Sequence, residues 1–124
     1  MEDINKIAVI CGGSSPEREV SLNSGNGVKD ALLQLGLKSD LIDYSDIQDF
    51  NDLYDYELVF IALHGFEGEN GELQARLDKM NIIFTGSKYS ACSNTWNKNL
   101  CKTILNENSI NTPCLLYTSD AADE

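Results

Sequence analysis

The sequence is short of basic residues, prolines and long apolar runs. Its 124 residues include 2 prolines and 9 lysines and arginines against 20 aspartates and glutamates, so the formal net charge is −11. Such a charge repels phosphate backbones and anionic lipid headgroups, and no nucleic-acid or membrane partner is therefore expected. No apolar run reaches the ~18 residues that span a bilayer, and the first six residues lack the features of a secretory signal. The length allows at most one compact domain plus a fragment, and we expect the protein to be cytoplasmic.

Metal-ligand and disulfide spacings are also missing. The four cysteines form no C-x-x-C pair, and His64 is the only histidine; the cysteines are Cys11, Cys92, Cys101 and Cys114. Neither a zinc site nor a disulfide scaffold is supported by these positions. We therefore predict no metal site in this chain.

An acidic connector runs from Asp40 to Asp55, where an aspartate recurs at every third residue. An EF-hand calcium loop needs acidic residues two apart around a glycine, and this spacing does not supply them. We expect a solvated acidic face that is anchored by the hydrophobic residues Ile47, Phe50 and Leu53.

Apolar runs and helical spacings alternate along the chain. Helices are predicted to begin near Glu17, near Leu73 and near Thr95. The predicted strands are Lys6–Cys11, Leu37–Tyr44, Leu58–Leu63 and Ile82–Thr85. This alternation predicts an α/β fold, a small parallel sheet of about four strands with helices on both faces.

The first helix has the clearest signals. The segment Ser14-Ser15-Pro16-Glu17 matches an S-x-x-E capping box with a proline in the first turn, and Gly36 stands where a helix C′ residue would. Small side chains at Ser24 and Gly27 would let this helix lie close to the sheet. Its buried stripe is expected at Val20, Val28, Ala31, Leu32 and Leu35.

Three glycine-containing loops follow the predicted strands. They are Gly12–Glu19, His64–Gly71 and Gly86–Ser90. Ligands of parallel α/β sheets bind beyond the carboxyl ends of the strands, where such loops gather. The first loop leads into a helix N-terminus, which attracts anions, and Gly12 and Gly13 would let the backbone approach a ligand closely. We expect the ligand site where these loops meet.

Two side chains in these loops each have two interpretations. Glu17 is either the carboxylate of a capping box or a ligand contact. His64 is either a structural hydrogen-bonding group or a donor to a carboxylate or phosphoryl oxygen. Arg18 and Glu19 are most simply solvated charges. The residue patterns leave these alternatives open, because no Walker A, G-x-G-x-x-G, G-x-S-x-G or H-E-x-x-H motif is present.

Several ordered blocks nevertheless resemble one family, the D-alanine–D-alanine ligases. The blocks are GGSSPEREVSLNSG (12–25), FIALHG (60–65), GENGELQ (68–74) and FTGS (84–87). Three further places resemble the start of the ATP-binding portion of that family, namely Asn97-Lys98, Lys102 and Ile110–Pro113. The resemblance covers about Ile4 to Pro113, and blocks in this order are far more specific than any one of them.

The resemblance implies an ATP-grasp ligase of peptidoglycan precursor synthesis with a Rossmann-like substrate domain. In that family ATP phosphorylates one D-alanine, and the amine of a second D-alanine attacks the acyl phosphate. By likeness, Glu17 would hold the ammonium of the first D-alanine, and His64 would contact its carboxylate or the transferring phosphoryl. The full implied set is Gly12, Gly13, Glu17, His64 and Gly65 for the substrate and Lys98 for the nucleotide. A homodimer is also implied.

The same resemblance divides the chain. Residues 1–88 correspond to the substrate domain and residues 89–113 to the start of the central ATP-grasp domain. The Mg²⁺ carboxylates of the family lie further downstream, so ATP and Mg²⁺ would serve the full-length enzyme, and we expect no catalysis by this chain alone. Residues 114–124 resemble a translated sequencing adapter and are left out of the fold expectations.

The sequence departs from the family at two positions, and three other functions are open to it. The family usually has Asp-Lys where this chain has Asn97-Lys98, and a glycine at the position of Ala75. One rival function is a stand-alone module that binds an anion or another small ligand without catalysis. Another is an interaction protein that works through the acidic connector. A third is a ligase that makes D-alanine–D-lactate or D-alanine–D-serine, for which the selecting residues are not in this chain.

Overall fold

The computed structural model describes residues 6–113, so the adapter-like segment 114–124, which begins at Cys114, lies outside the described residues. Two 3₁₀ turns, Tyr44–Asp46 and Phe50–Asp55, interrupt the alternation of strands and helices. The strands are β1 (Ile7–Cys11), β2 (Ser39–Asp43) and β3 (Leu58–Ile61). The helices are α1 (Arg18–Gln34), α2 (Phe66–Glu69), α3 (Glu72–Lys79), α4 (Tyr89–Trp96) and α5 (Lys98–Glu107). None of these helices is long and apolar enough to cross a membrane.

The three strands form one parallel sheet in the order β2-β1-β3. Strand β1 is central, with Ile7 opposite Ser39 on one side and Leu58 on the other. All five residues of β1 are buried, as a continuous apolar run covered on both faces requires. The predicted α/β fold with a small parallel sheet is confirmed.

The predicted fourth strand is present only as a single bridge. Val59 pairs in parallel with Phe84, because the Val59 N–H donates to Ile83 O at 2.9 Å and the Thr85 N–H donates to Val59 O at 3.0 Å. Asn81 and Gly86, which flank this segment, both have positive φ, at 56° and 96°. The sheet therefore has three full strands rather than about four.

Helices cover both faces of the sheet, as predicted. Alternate residues of β1 point to opposite faces, so that Ile7 and Val9 pack on one side and Ala8 and Ile10 on the other. The first side is covered by α1 through Leu22, Val28 and Leu32. The second side is covered by α3 and the acidic connector, through Leu53, Leu73, Leu77 and their neighbours.

Helix α1 ends as predicted, but its buried stripe is predicted only in part, because Val28 and Leu32 pack on the sheet whereas Ala31 is exposed. Gly36 has φ +76°, and the N–H groups of Gly36 and Leu37 donate to Leu33 O and Leu32 O, which is a Schellman motif. The predicted core residues Val20 and Leu35 are instead 52% and 73% exposed.

The closest contact of α1 with the sheet lies at Ser21 and Gly25, not at Ser24 and Gly27. A Cβ on Gly25 would lie 2.7 Å from the Cβ of Cys11, whereas a Cβ on Gly27 would meet nothing within 4 Å. Ser21 and Gly25 are one helical turn apart, so they form one smooth face of the helix against β1.

The acidic connector is anchored as predicted. Leu53 is 2% exposed, and Ile47 and Phe50 pack against the same core cluster. Asp49 accepts a hydrogen bond from the Asn51 N–H at 2.9 Å and so caps the second 3₁₀ turn. One of its aspartates, Asp43, is not part of a solvated face, because its carboxylate contacts the loop that follows β1.

The C-terminal part contains two helices where one helix around Thr95–Asn106 was predicted. The chain becomes extended at Asn97, with φ −79° and ψ 104°, which separates α4 from α5. The Asn97 Oδ1 accepts a hydrogen bond from the Leu100 N–H at 3.1 Å and caps α5. The prediction of one helix is wrong because this asparagine starts a new helix rather than continuing the first.

Candidate functional site

The loops after β1 and β3 meet at the carboxyl edge of the sheet. The Ser15 hydroxyl donates to His64 O at 3.1 Å, and the Ser14 N–H donates to Glu67 Oε2 at 3.0 Å. The Ser14 hydroxyl also donates to Glu67 Oε1. Two of the three loops that were expected to gather around a ligand are thus held together by direct hydrogen bonds.

Gly12 and Gly13 make room for carboxylates of the chain itself. Both have φ +77°, a left-handed conformation that favours glycine. A Cβ on Gly12 would lie 2.6 Å from Asp43 Oδ1, and a Cβ on Gly13 would overlap the Glu67 carboxylate. The Gly13 N–H donates to Asp43 Oδ1 at 3.1 Å. The roles of these glycines in substrate binding stay predictions, since in this structure their open sides face protein groups.

Asp43 and Arg18 clamp this glycine loop. Arg18 donates from Nη2 to Asp43 Oδ2 at 2.5 Å and from Nη1 to Gly13 O at 2.8 Å. The Arg18 guanidinium, followed by the Ser45 and Gly13 N–H donors, holds the pKa of the Asp43 carboxyl well below its usual range, although burial opposes this shift. The expectation that Arg18 is a solvated charge is therefore wrong.

The importance of Asp43 was missed because it was counted with the acidic connector. It is the last residue of β2, and β2 lies beside β1, so its side chain reaches the loop that follows β1. The available signal was its place at a strand's carboxyl end, where ligand-edge residues of parallel sheets are found.

Glu17 does not form the predicted capping box. It occupies the N-cap position of α1, but its side chain makes no capping hydrogen bond. The Ser15 oxygen atoms take this role, because Ser15 O accepts from the Arg18 N–H at 3.0 Å and Ser15 Oγ accepts from the Glu17 N–H at 3.2 Å. The Glu17 carboxylate is exposed, and its Oε2 lies 2.8 Å from the position that a Cβ on Gly65 would take.

His64 lies half-buried on the same edge of the sheet as Glu17. Its Nε2 shares a hydrogen bond of 3.0 Å with Ser24 Oγ, and its role toward a ligand stays a prediction. The next residue, Gly65, has φ +76° and ψ −158°, a conformation that only glycine adopts without strain. Because Glu17 Oε2 lies 2.8 Å from the position of a Cβ on Gly65, the Glu17 side chain and the backbone next to His64 are neighbours.

Two serines of α1 support this arrangement and were not recognised as polar contacts from the sequence. Ser21 is fully buried, accepts from the Gly12 N–H at 2.9 Å and donates to Ala62 O at 2.7 Å. It thus joins α1 to the ends of β1 and β3. Ser24 was expected only to be small, but its hydroxyl is the partner of His64.

Known proteins share this sequence and fold. No protein-family model matches the chain. A D-alanine–D-alanine ligase of Francisella philomiragia is 41% identical over 117 residues, which cover 93% of this chain and 39% of that protein. The Bacillus anthracis D-alanine–D-alanine ligase complexed with ATP superimposes with a TM-score of 0.77 and 32% identity, over 88% of this chain and 38% of that one. D-alanyl-alanine synthetase A from Vibrio cholerae superimposes with a TM-score of 0.79 and 27% identity, over 91% of this chain and 40% of that one.

The chain is homologous to the N-terminal part of the D-alanine–D-alanine ligases. The resemblance seen in the sequence blocks is thereby confirmed. The chain spans about two fifths of the length of these relatives, 39% of the Francisella protein and 38% of the Bacillus structure. It therefore matches part of a ligase rather than a whole one.

Lys98, the residue predicted to bind the nucleotide, follows the segment of Glu17 and His64 in sequence. Lys98 is the first residue of α5, and it is exposed. The boundary that was predicted between residues 88 and 89 falls at the start of α4, but its meaning as a domain boundary stays a prediction.

The described part of the ligase homologue offers no metal centre. Within residues 6–113, no group of three or more histidine, cysteine, aspartate or glutamate side chains is arranged to hold an ion. The residues present here therefore do not fit a Mg²⁺ site, and no step of the chemistry is assigned to a metal on this chain.

Proposed function

We propose that this chain is the substrate-binding N-terminal part of a cytoplasmic, ATP-dependent D-alanine–D-alanine ligase of peptidoglycan precursor synthesis. The homology to ligases over most of the chain supports the reaction class, and the Bacillus anthracis ligase that shares this fold forms a complex with ATP. The observation that carries the site assignment is the exposed Glu17 carboxylate beside the His64-Gly65 backbone. The homodimer remains part of the proposal on the resemblance alone.

The reaction explains why these residue types are needed. A free carboxylate is a poor electrophile, and ATP supplies a phosphoryl group that converts it to an acyl phosphate. The amine of the second D-alanine then forms a bond to the acyl carbon, the bond to the phosphate oxygen breaks, and the amine loses a proton. The protein must hold the first D-alanine by groups that leave its carboxylate free to react.

Glu17 is the proposed partner of the first D-alanine's ammonium group. Its carboxylate is not used by the helix cap and is open to solvent, so it can form a charge-assisted hydrogen bond with a cationic amine. His64 is the proposed partner of the carboxylate or of the transferring phosphoryl group. Its imidazole is oriented by Ser24, which would fix the ring while it donates to an oxygen that gains negative charge.

The Arg18–Asp43 pair and Ser21 are proposed to position these groups rather than to touch the substrate. Arg18 and Asp43 hold the backbone at Gly13, and Ser21 holds the backbone at Gly12. Both contacts restrict the loop that carries Glu17. Orientation of this kind lowers the barrier of a reaction between bound partners because less freedom is lost at the transition state.

Catalysis requires more than this chain. Its described residues provide one exposed candidate for the nucleotide, Lys98, and no group that could hold Mg²⁺. We therefore propose that the isolated chain releases no phosphate from ATP in the presence of D-alanine. A D-alanine-dependent release by the purified 124-residue chain would contradict this part of the proposal.

A chimeric enzyme tests the function and the site together. Residues 1–113 would be joined to the remaining part of the Francisella philomiragia ligase, and D-alanine-dependent phosphate release would be measured. Glu17→Gln is expected to lower kcat/KM by about 5- to 30-fold, since a hydrogen bond to a charged group contributes ~1–2 kcal/mol more than one to a neutral acceptor. His64→Ala is expected to lower turnover as well. Glu19→Gln, an exposed neighbour of Glu17, is the matched control and should keep the parent rate.

The outcomes separate the two parts of the proposal. A folded chimera without D-alanine-dependent turnover would contradict the ligase function. An active chimera in which Glu17→Gln and His64→Ala both keep the parent rate would contradict the site but not the family. Circular dichroism of each variant checks that lost activity is not lost folding.

The rival function of a stand-alone anion-binding module has less structural support. The N–H groups of Gly13 and Ser14 already donate to the carboxylates of Asp43 and Glu67. An anion in this loop would have to displace those carboxylates, and its negative charge would be repelled by them.

A further inference from the structure

The Ser15 side chain lies between the two residues of the proposed D-alanine site. Its hydroxyl donates to His64 O at 3.1 Å, and its Oγ accepts from the Glu17 N–H at 3.2 Å. The direction of both hydrogen bonds is fixed, because a carbonyl oxygen can only accept and a backbone N–H can only donate. One hydroxyl group therefore joins the loop that follows β3 to the N-cap residue of α1.

The close approach of the two loops at this bridge requires a glycine. A Cβ on Gly65 would lie 3.0 Å from Ser15 Oγ and 2.8 Å from Glu17 Oε2, so a side chain at this position would press on both groups. The φ of +76° at Gly65 favours glycine as well. The loop after His64 is thus shaped to bring its backbone against Ser15 and Glu17.

The position of Ser15 is itself fixed by the first turn of α1. Its carbonyl oxygen accepts from the Arg18 N–H at 3.0 Å, and its side chain is half-buried. The same turn is joined to the sheet through Ser21, whose N–H donates to Glu17 O at 3.0 Å and whose hydroxyl donates to Ala62 O at 2.7 Å. A side chain can set the position of its neighbours only if its own position is held in this way.

We propose that Ser15 is a positioning residue of the D-alanine site, which sets the spacing between Glu17 and His64. Its hydroxyl holds both residues by backbone atoms, and so leaves the Glu17 carboxylate to the ammonium group of the substrate. Fixing two binding groups before the substrate arrives reduces the freedom that is lost on the way to the transition state. The inference rests on the function proposed above, which assigns Glu17 and His64 to the first D-alanine.

Amide hydrogen exchange of the purified chain, followed by ¹H–¹⁵N spectra, tests the bridge without any turnover. In Ser15→Ala the Glu17 N–H loses its acceptor, whereas the Arg18 N–H keeps the carbonyl of residue 15. We expect the Glu17 amide to exchange about 2- to 12-fold faster, the range for one neutral hydrogen bond, and the Arg18 amide to keep its rate. An unchanged rate at Glu17, or equal acceleration of both amides, would overturn the proposal.

Ser14→Ala is the matched control for this measurement, because the Ser14 hydroxyl donates to Glu67 and not to either site residue. It should leave the exchange rate at Glu17 unchanged. Acceleration as large as that in Ser15→Ala would mean that a loosened loop is responsible, and would refute the bridge. Should Ser15→Ala fail to fold, Ser15→Cys keeps a side chain of similar size whose thiol is a weak donor and acceptor. It should accelerate exchange at Glu17 and not at Arg18, and no acceleration would count against the proposal.

The chimeric ligase described above separates positioning from a general effect on folding. Ser15→Ala should lower kcat/KM for D-alanine by about 2- to 12-fold, the range for one neutral hydrogen bond. In a Glu17→Ala chimera the further loss caused by Ser15→Ala should be smaller, because residues that act as a unit have non-additive effects. Losses that simply multiply, or a parent rate in Ser15→Ala, would contradict a role through Glu17. No turnover by the parent chimera would instead contradict the ligase function, and the exchange rates would still decide whether the bridge exists.

Discussion

Replacing Asp43 by asparagine tests whether one carboxylate holds the glycine loop in place. Asp43 accepts hydrogen bonds from the Gly13 N–H at 3.1 Å and the Ser45 N–H at 3.0 Å, and it pairs with Arg18 Nη2 at 2.5 Å. Asparagine has the same shape and keeps one acceptor oxygen for the backbone donors. The substitution therefore removes the charge with little change in packing.

The expected loss follows from the kinds of hydrogen bonds involved. A hydrogen bond to a charged group contributes ~1.5–3 kcal/mol and one between neutral groups ~0.5–1.5 kcal/mol, a difference of ~1–2 kcal/mol. The Arg18 side chain is 41% exposed, so water screens the pair and the lower end applies. We expect the free energy of unfolding to fall by about 1 kcal/mol at pH 7, and the Tm by about 4 °C.

The pH dependence gives the sharper test. The pKa of Asp43 is lowered in the folded state and takes its ordinary value of ~3.9 in the unfolded state. The carboxylate's contribution to stability is therefore fully present above the unfolded pKa and is lost as the pH falls towards the folded pKa. The difference between parent and Asp43→Asn should shrink from pH 7 to about pH 3.

Urea unfolding followed by circular dichroism at both pH values measures these differences. Asp52→Asn is the control, because Asp52 is exposed and in the same acidic connector, and it should change stability by less than about 0.5 kcal/mol. The reasoning is refuted if Asp43→Asn is as stable as the parent at pH 7, or if its deficit is the same at the acidic pH.

Two further predictions concern the packing of α1 and the Tyr56 phenol. Gly25→Ala should destabilise the chain by about 1–3 kcal/mol, because the new Cβ would lie 2.7 Å from Cys11 Cβ. Gly27→Ala, in open space on the same helix, should instead stabilise the chain by about 0.5–1 kcal/mol. Urea unfolding midpoints of the two variants that move in the same direction would contradict this prediction. Burial, then the hydrogen bond to Asp40, raises the pKa of Tyr56 to about 12. A raised pKa means that stability is fully present below the unfolded pKa of ~10 and falls as the pH rises further. Tyr56→Phe should flatten this alkaline loss and remove a phenol that ionises near pH 12 from a UV-difference titration. An unchanged titration would contradict the assignment.

Much of the fold could be predicted because its signals are local. The buried strands β1 and β3 are continuous apolar runs, and the end of α1 is marked by a glycine in the left-handed conformation that a Schellman motif requires. The alternation of elements then leads to a parallel sheet with its loops at one edge. The placement of the loops that hold Glu17 and His64 follows from that alternation.

The side-chain contacts of the site depend on which strands are neighbours, and this could not be predicted. Strand β2 lies beside β1, so Asp43 meets Gly13 and Arg18, although the connector's repeated aspartates indicated a solvated face. The capping-box pattern at Ser14–Glu17 failed for a similar reason. Glu67, which is distant in sequence, takes the Ser14 N–H, and Ser15 closes the first turn of the helix.

The central position of β1 has a consequence for how the chain folds during synthesis. Strand β1 is made before β3 and cannot complete its pairing until Leu58–Ile61 has been made, because β3 is one of its two neighbours. Pairings between distant segments form slowly, since a long loop must close first. A translation product that ends before β3 would carry a fully apolar strand with an open edge, and such edges nucleate aggregation. Termination just before β3 should therefore yield insoluble protein, even though helix α1 and strand β2 would already be complete.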